Sequence, residues 1–332
     1  MIITKTPFRM SFFGGGTDME DYFREHKGAV LSTTFDKYCY VAVRHLPEFF
    51  DYKTELVYSQ IERVNSVDEI QHPTIRNAMK MLDIDRIRLD CEFDLPPRSG
   101  LGTSSAIAVG MLNAFHALKG EPVDKRRLAD EAIFLERSLC GETGGWQDQI
   151  AAAFGGFNRI DFEEGSYRVS PVALPPENRM ELNRNLLLFF TGFSRNSSEI
   201  QKLNRVADKK NYSTLKQMYE LVDEAEKILV KKAGDMNEFG RLLDLTWEMK
   251  KKTGKAISTG SIELLYEKGK AAGALGGKLL GAGSGGFLLF YTPPDRQENV
   301  KRALEDLRYI PFEFEEEGAG IVYHAPERAQ VG

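Results

Sequence analysis

The sequence predicts an α+β fold in two parts, because strand-like and helix-like patterns are mixed along 332 residues and one clear break divides them. Segments rich in Val, Thr, Tyr and Phe are typical of strands, and apolar residues recurring every three or four positions are typical of helices. The break lies in residues 171–185, where Pro175 and Pro176 stand among polar residues. We therefore expect one part at residues 1–180, a second at 181–326 and a disordered tail at 327–332.

The first part alternates strands and helices. The predicted strands span residues 1–16, 29–35, 37–45, 56–64, 86–95, 156–162 and 167–172. The predicted helices span residues 18–25, 73–82, 104–118 and 124–139. Thr17 or Asp18 is expected to cap the first of these helices, which carries acids in its first turn.

The second part begins with a continuous apolar run at residues 186–191, which is typical of a buried strand. The next eighty residues have a helical pattern, and their many charges are expected to form solvated faces. Two apolar faces are predicted, formed by Leu215, Met218, Val222, Ala225 and Leu229 and by Phe239, Leu242, Leu243, Thr246 and Trp247. A strand-turn-strand at 276–290, a helix at 296–307 and a strand at 310–315 follow.

Composition limits the classes of function. A formal net charge of −5 makes a nucleic-acid binder a poor candidate. No segment has the apolar length needed to cross a bilayer, and the first residues lack the layout of a signal peptide. Three cysteines without metal-ligand spacing are typical of buried thiols in a reducing compartment, so we expect a cytoplasmic protein. The residues do not decide the oligomeric state, and a homodimer is one open alternative.

The most informative stretch is residues 96–106, where a strand ends, glycines and hydroxyl residues follow, and a helix begins. A helix start presents backbone N–H groups and the positive end of a dipole, which together form an anion site. Gly100 and Gly102 let an anion approach the backbone closely. An ordinary capped helix is the equally good alternative for this stretch alone.

A second glycine-rich stretch, residues 281–286, matches the spacing of a dinucleotide fingerprint. That fingerprint requires a helix after its glycines, whereas residues 287–291 have the pattern of a strand and Pro293 and Pro294 follow. The chain also lacks a Walker-type phosphate loop and the signatures of protein kinases. A dinucleotide fingerprint, a Walker-type loop and a protein-kinase site are therefore excluded.

Together, residues 6–18, 96–106 and 278–286 resemble in order and composition the three motifs of the GHMP kinases, named for galactokinase, homoserine kinase, mevalonate kinase and phosphomevalonate kinase. The sequence of residues 14–18, Gly-Gly-Gly-Thr-Asp, resembles the first motif of the branch that acts on D-glycero-D-manno-heptose 7-phosphate and on fucose-type sugars. Galactokinases carry Gly-Glu-His-Thr-Asp there, which makes galactose a poor candidate. The resemblance implies a GHMP kinase fold, with an N-terminal part like ribosomal protein S5 domain 2, a ferredoxin-like C-terminal part and the active site between them.

The resemblance implies an enzyme that transfers the γ-phosphoryl group of ATP to a sugar hydroxyl, with Mg²⁺ as its cation. The ATP-binding residues would be Pro97, Arg98, Ser99, Gly100, Leu101, Gly102, Thr103, Ser104 and Ser105. Ser104 matches the serine that ligates magnesium, with Ser105 as the alternative, and Glu136 would be the second ligand. The apolar stripe of its helix, Leu128, Ala132, Leu135 and Leu139, places Glu136 on the inward side, where a buried salt bridge is the alternative.

The implied catalytic residues are Asp148 and Arg9. Asp148 would accept or orient the proton of the attacking hydroxyl, although a helix N-terminal acid is its plain alternative. Arg9 would hold Asp148 ionised and stabilise charge on the transferring phosphoryl group. The sugar would contact Arg9, Gly15, Gly16, Thr17, Asp18, Gly145, Asp148, Gly281, Gly283 and Ser284.

The expected reaction is phosphorylation of the anomeric hydroxyl of D-glycero-D-manno-heptose 7-phosphate, for the synthesis of a nucleotide-activated heptose. A phosphate on the substrate would need a cation, and Arg195, Lys37, Arg44 and Arg98 are candidates by residue type alone. The alternatives are a kinase for fucose or another monosaccharide, a catalytically inactive sugar sensor of the same fold, and a decarboxylase of the diphosphomevalonate type.

Overall fold

The computed structural model describes residues 1–97, 99–192, 206–232, 234–254 and 257–325. Within these residues thirteen strands form one sheet of nine strands and one of four. The strands are β1 (Ile2–Phe13), β2 (Gly28–His45), β3 (Thr54–Val57), β4 (Ile61–Val64), β5 (Ile87–Phe93), β6 (Asn158–Glu163), β7 (Ser166–Pro171), β8 (Leu186–Phe190), β9 (Gly276–Leu279), β10 (Phe287–Tyr291), β11 (Arg308–Ile310), β12 (Phe314–Glu315) and β13 (Gly320–His324). The α-helices are α1 (Glu20–Phe23), α2 (Pro73–Met81), α3 (Thr103–Leu118), α4 (Lys125–Ile133), α5 (Gln147–Phe154), α6 (Pro176–Asn185), α7 (Tyr212–Val230), α8 (Asn237–Lys252), α9 (Gly260–Ala271) and α10 (Gln297–Ala303).

The larger sheet has the order β13-β1-β2-β5-β3-β4, with β6 and β12 also paired to β2 and β7 paired to β6. The two strands expected at 29–35 and 37–45 form the single strand β2. Asp36 and Lys37 make a bulge inside it, because the pairing with β1 moves from Phe35 opposite Phe8 to Tyr38 opposite Pro7. The strand expected at 56–64 is instead the antiparallel pair β3 and β4.

Helix α3 lies against β1 and β2 and also contacts α4 and α5, and twelve of its sixteen residues are buried. Its close approach to the sheet depends on Gly110, where a Cβ atom would lie 2.7 Å from the Thr6 hydroxyl oxygen. The Thr4 hydroxyl donates a hydrogen bond of 2.9 Å to the Gly110 carbonyl. The rigid position of α3 fixes the loop that precedes it, which contains the second glycine motif.

The helix expected at 124–139 changes its hydrogen-bond register at its end. Helix α4 stops at Ile133, and Phe134–Leu139 form a π-helical turn. The wider turn rotates the following residues away from the 3.6-residue period, so the prediction that Leu139 belongs to the buried stripe was wrong: it is 41% exposed. Glu136 lies inside this turn and is 1% exposed, as the sequence predicted.

The smaller sheet is antiparallel, with the order β11-β8-β10-β9. The predicted apolar faces of α7 and α8 are buried, except that Leu242 is only partly buried. Phe239 joins the two parts, because its ring centroid lies 5.4 Å from that of Phe12 and 5.1 Å from that of Phe13. In the described chain we find no helix with both the length and the apolar composition required to cross a membrane.

The break expected at 171–185 is largely helical, because Pro176 occupies the first turn of α6, where proline favours a helix start. The chain also returns to the larger sheet after the smaller one: β12 pairs with β2, and β13 pairs with β1. The sequence did not indicate this return. The tail at 327–332 lies outside the described residues.

Candidate active site

A cavity of about 860 Å³ lies where the loops after β1, β5 and β9 meet the start of α5. The three glycine motifs therefore come together, although more than 250 residues separate the first from the third along the chain. The cavity is lined by polar side chains and by the apolar residues Ile75, Phe93, Pro96 and Ile107.

Arg9 and Asp148 form a bidentate ion pair in this cavity. The Arg9 Nε donates to Asp148 Oδ1 and its Nη2 to Oδ2, each at 2.8 Å. The third guanidinium nitrogen, Nη1, donates to the Gly100 carbonyl at 2.8 Å. Arg9 is 5% exposed and is reached from β1, whereas Asp148 stands in the first turn of α5. The guanidinium thus fixes the Asp148 carboxylate beside the loop of the second motif.

Asp18 is a second carboxylate in the same cavity and is 3% exposed. Its Oδ1 accepts from the Gly16 N–H at 2.9 Å, and its Oδ2 accepts from Gln147 Nε2 at 2.9 Å. Burial raises the pKa of Asp18, and the charge of Asp148 raises it further, whereas these hydrogen bonds lower it. Asp18 does not cap α1 as we expected, because Met19 precedes the first helical residue and this carboxylate is already bonded elsewhere.

Gly145 leaves the space that the Asp18 carboxylate occupies. A Cβ atom on Gly145 would lie 1.8 Å from Asp18 Oδ2, so only glycine leaves space for this carboxylate. Thr17, in contrast, faces away from the cavity. Its hydroxyl donates to the carbonyls of Gly14 at 2.8 Å and Ala29 at 2.9 Å, which makes it a structural tie between the loop and β2.

The second motif forms the loop between β5 and α3. Gly100 has φ +84° and Gly102 has φ +74°, both in the left-handed region that favours glycine. Gly102 precedes the first helical residue, Thr103, so the first-turn N–H groups of α3 lie at the loop. This arrangement is suited to phosphate oxygens.

Glu136 lies next to the start of α3. Its Oε1 accepts from the Ser104 hydroxyl at 2.9 Å, and its Oε2 accepts from the Ser105 hydroxyl at 2.7 Å and from Gln149 Nε2. Arg137 is farther away, at 3.9 Å. The alternative role of Glu136, a buried salt bridge, is therefore a minor part of its surroundings. Hydroxyl and carboxylate oxygens, which suit Mg²⁺, dominate them.

The third motif, the turn between β9 and β10, packs directly on the second. A Cβ on Gly281 would lie 2.4 Å from the Gly100 Cα, and one on Gly286 would lie 2.1 Å from the Ser99 carbonyl oxygen. These glycines therefore make room for the loop backbone. Of the residues expected to contact the sugar here, Gly281 lines the cavity, whereas Gly283 and Ser284 do not.

Two lysines, Lys250 and Lys278, also line the cavity. Lys250, at the end of α8, donates from Nζ to the Gly281 carbonyl at 2.5 Å. Lys278, in β9, donates to the carbonyls of Ser11 at 2.7 Å and Phe12 at 2.9 Å. Burial lowers the pKa of Lys250 to about 8, with a further contribution from the charge of Arg9, and burial also lowers the pKa of Lys278 well below its usual value.

Most of the expected site residues meet in this cavity: Arg9, Gly15, Gly16, Asp18, Pro97, Gly100, Gly102, Thr103, Ser104, Ser105, Glu136, Gly145, Asp148 and Gly281. Ser99 and Leu101 are buried beside the loop and do not line the cavity. Arg98 and Arg195 lie outside the described residues. Lys37 and Arg44 are not part of the cavity lining, and Lys37 pairs with the adjacent Asp36.

Four residues of the site were missed. Gln147 and Gln149 flank Asp148, so their place in the sequence was the available signal. Lys278 opens the third motif, where its charge in a buried strand was a further signal. Lys250 is the first of three consecutive lysines on an amphipathic helix, and such a run ordinarily indicates a solvated face.

Two family models match this chain. The GHMP kinases N terminal domain matches residues 70–156, and the GHMP kinases C terminal matches residues 218–309. The first range contains the phosphate loop, Glu136 and Asp148, and the second contains both lysines and the third motif. Together the matches reach across both sheets.

Individual relatives agree with these matches. The D-glycero-alpha-D-manno-heptose 7-phosphate kinase of Campylobacter jejuni is 30% identical over 338 residues, covering 96% of this chain and 97% of that protein. The bifunctional fucokinase/GDP-fucose pyrophosphorylase of Arabidopsis thaliana is 24% identical over 327 residues, 90% of this chain and 31% of that larger protein. The crystal structure of a D-glycero-D-manno-heptose 1-phosphate kinase from Bacteroides thetaiotaomicron superposes with a TM-score of 0.79 and 26% identity, covering 98% of this chain and all of that one.

Proposed function

The chain belongs to the GHMP kinase family, and we propose that it transfers the γ-phosphoryl group of ATP to the anomeric hydroxyl of D-glycero-D-manno-heptose 7-phosphate. As a member of this family it is an ATP-dependent phosphotransferase with an alcohol group as acceptor. The proposal adds the acceptor and the residues that act on it. Its main support within the molecule is the Arg9–Asp148 pair, which is bonded to the phosphate loop and shares the cavity with the carboxylate of Asp18.

Asp148 is the proposed partner of the attacking hydroxyl. Both of its oxygens accept a hydrogen bond from Arg9, and each oxygen retains a further lone pair for the sugar O–H. Its side chain is 26% exposed, so it remains accessible from the cavity. Asp148 would orient this hydroxyl and receive its proton as the bond to phosphorus forms. Asp18 would accept hydrogen bonds from other hydroxyls of the sugar.

Arg9 has two proposed tasks. It holds Asp148 in one orientation through a planar, bidentate pair, and it ties that pair to the Gly100 carbonyl. Because the guanidinium is nearly buried, its positive charge is little screened by water. It therefore stabilises the negative charge that accumulates on the transferring phosphoryl group and the leaving ADP.

Ser104 and Glu136 are the residues that would hold Mg²⁺. The fit rests on their chemistry, because both side chains offer oxygen ligands and the Ser104 hydroxyl oxygen lies 2.9 Å from Glu136 Oε1. Ser104 faces the cavity, whereas the Glu136 carboxylate is otherwise buried. Magnesium accepts such a sparse set of protein ligands, because water and phosphate oxygens complete its octahedron. When bound, it would neutralise charge on the β- and γ-phosphates.

The identity of the sugar is the finer part of the proposal. One relative is named as a heptose 7-phosphate kinase and another as a heptose 1-phosphate kinase, so the two names put the phosphate on different carbons. We favour the 7-phosphate, which leaves the anomeric hydroxyl available as the acceptor. The product would then be a heptose 1,7-bisphosphate that leads to a nucleotide-activated heptose. A fucose-type sugar is the alternative, since a fucokinase is also similar to this chain.

The test is ADP release with a matched panel of D-glycero-D-manno-heptose 7-phosphate, the same heptose without phosphate, and L-fucose. We expect kcat/KM to fall steeply when the 7-phosphate is absent. Equal rates with and without it would contradict a heptose-phosphate kinase, and preference for L-fucose would favour the alternative. Binding of a sugar without any ADP release would indicate the inactive sensor, although Arg9, Ser104, Glu136 and Asp148 are all present.

A cytoplasmic location is part of the same proposal. Its support is that Cys39, Cys91 and Cys140 are free, and the first two are buried, which suits a reducing compartment. Cys140 is only partly buried. Assembly as a homodimer stays a prediction.

A further inference from the structure

Lys250 and Lys278 have no task in the mechanism above, yet both line the cavity. Lys278 is 3% exposed, and its ammonium is bonded to two backbone carbonyls of β1. Lys250 reaches the cavity from α8 and is bonded to the Gly281 carbonyl. Within the described part of the chain, neither ammonium has a carboxylate at ion-pair distance.

We propose that Lys250 and Lys278 form a second phosphate-binding site in this cavity, separate from the loop between β5 and α3. The proposal rests on the proposed function, since it names the cations that receive a phosphate group in the same site. That group is either the 7-phosphate of the sugar or the transferring phosphoryl group of ATP. Both have the same chemistry, and the experiment below separates them.

The hydrogen-bonding capacity of the lysines supports this site. An ammonium has three N–H donors. Lys278 uses two of them on the carbonyls of Ser11 and Phe12, and Lys250 uses one on that of Gly281. Within the described residues, one donor of Lys278 and two of Lys250 are left to bond a ligand. A phosphate group offers three acceptor oxygens and can take several such donors at once.

The charges around the two lysines also favour an anion. Arg9, on β1, and Lys250 each lower the pKa of Lys278, so the three cations are close enough to repel one another. The charge of Arg9 is matched by that of Asp148 on α5. Asp18 raises the pKa of both lysines, and Asp148 also raises that of Lys250. Burying an ammonium without a counter-ion is costly, and a phosphate between the lysines would remove that cost.

A structural role is the plain alternative, and it is stronger for Lys278, whose bonds to β1 connect the two sheets. Lys250 makes one bond to a loop carbonyl and so distinguishes the two roles better. Lys250→Met keeps the apolar stem and removes the charge. Lys252→Met is the matched control, because it removes the same charge from an exposed position on the same helix.

The experiment measures kcat/KM with heptose 7-phosphate and with heptose lacking phosphate, together with the dissociation constant of ATP by calorimetry. We expect Lys250→Met to lower kcat/KM with heptose 7-phosphate by about 100-fold and Lys252→Met to leave it unchanged. A loss confined to the phosphorylated sugar identifies the 7-phosphate as the ligand. An equal loss with both sugars, with weaker ATP binding or a lower kcat, identifies the transferring phosphoryl group. Values within twofold of wild type throughout would overturn the proposal.

Two further measurements separate this proposal from its premise. Inorganic phosphate should raise the melting temperature of the wild-type protein and of Lys252→Met more than that of Lys250→Met, whichever sugar is the substrate. If phosphate stabilises the wild type more than Lys250→Met, but the wild type does not turn over heptose 7-phosphate, the proposed substrate is wrong and the phosphate site is supported. An equal response of all three proteins to phosphate contradicts the site. Lys250→Arg should recover part of the activity, which a role in packing alone would not predict.

Discussion

Asp148→Asn removes one negative charge from the ion pair with Arg9 while keeping the size of the side chain. If Asp148 receives the proton of the sugar hydroxyl, kcat should fall by about 10²–10⁴-fold, the range for loss of a general base. That range corresponds to about 3–5 kcal/mol of transition-state stabilisation. The KM for the sugar should change much less, because Asp18 is still available to bind the other hydroxyls.

The same substitution affects stability, and the size follows from the two hydrogen bonds at 2.8 Å. Asparagine can still accept from one guanidinium nitrogen, but its amide group faces the other with a donor. We expect a loss of roughly 1.5–3 kcal/mol, the value of one charge-assisted hydrogen bond. Urea unfolding of both proteins measures it.

A matched control separates the rate from the stability. Arg159 and Asp161 form an ion pair at 2.8 Å away from the cavity, with side chains 17% and 23% exposed. Arg159 also pairs with Asp223 at 2.6 Å and with Glu226 at 2.8 Å. Asp161→Asn should lower the unfolding free energy by less than Asp148→Asn does, because Asp223 and Glu226 keep Arg159 paired, and it should leave kcat unchanged. A kcat for Asp148→Asn within threefold of wild type would refute the reasoning, because the hydroxyl would then need no protein base.

Other predictions test the remaining parts of the site. Gly281→Ala should weaken ATP binding, measured by calorimetry, by at least about tenfold, since its Cβ would press on the phosphate loop. Gly120→Ala is the control for backbone strain alone, because Gly120 has φ +71° and open space around it. Because the pKa of Lys250 is about 8 and the charged form binds phosphate, kcat/KM should decline above pH 8, and Lys250→Arg should remove this decline from the pH profile. Ser104→Ala should raise the Mg²⁺ concentration for half-maximal rate by about tenfold; an unchanged Mg²⁺ titration would mean that Ser105 or water takes its place.

The sequence predicted the residues that belong to motifs, because each motif joins a backbone requirement to a chemical group. Gly100 and Gly102 occupy left-handed backbone conformations, which favour glycine. The spacing of apolar residues on its helix predicted that Glu136 faces inward, and it is buried. These constraints are local, so a few consecutive residues carry them. Asp18 was assigned to the sugar site through the family resemblance, and the prediction that it caps α1 was wrong.

Features that depend on distant partners could not be predicted in this way. Lys250 belongs to the site only because α8 ends opposite the turn after β9, and its neighbours along the helix are ordinary surface lysines. Strand β13 pairs with β1 across the whole length of the chain, and its sequence carries no signal of that pairing. The π-helical turn at Phe134–Leu139 changes hydrogen-bond register without any residue that marks it.

The central claim is that the new phosphate is attached to the anomeric carbon of a heptose that already carries a phosphate at carbon 7. Phosphorus-31 NMR of the product formed from ATP, Mg²⁺ and D-glycero-D-manno-heptose 7-phosphate tests it most directly. We predict two sugar phosphorus signals of equal intensity, one coupled to the anomeric proton and one to the protons of carbon 7. A product whose new phosphate lies on any other carbon, or the absence of a second sugar phosphate when ADP is released, would contradict the claim.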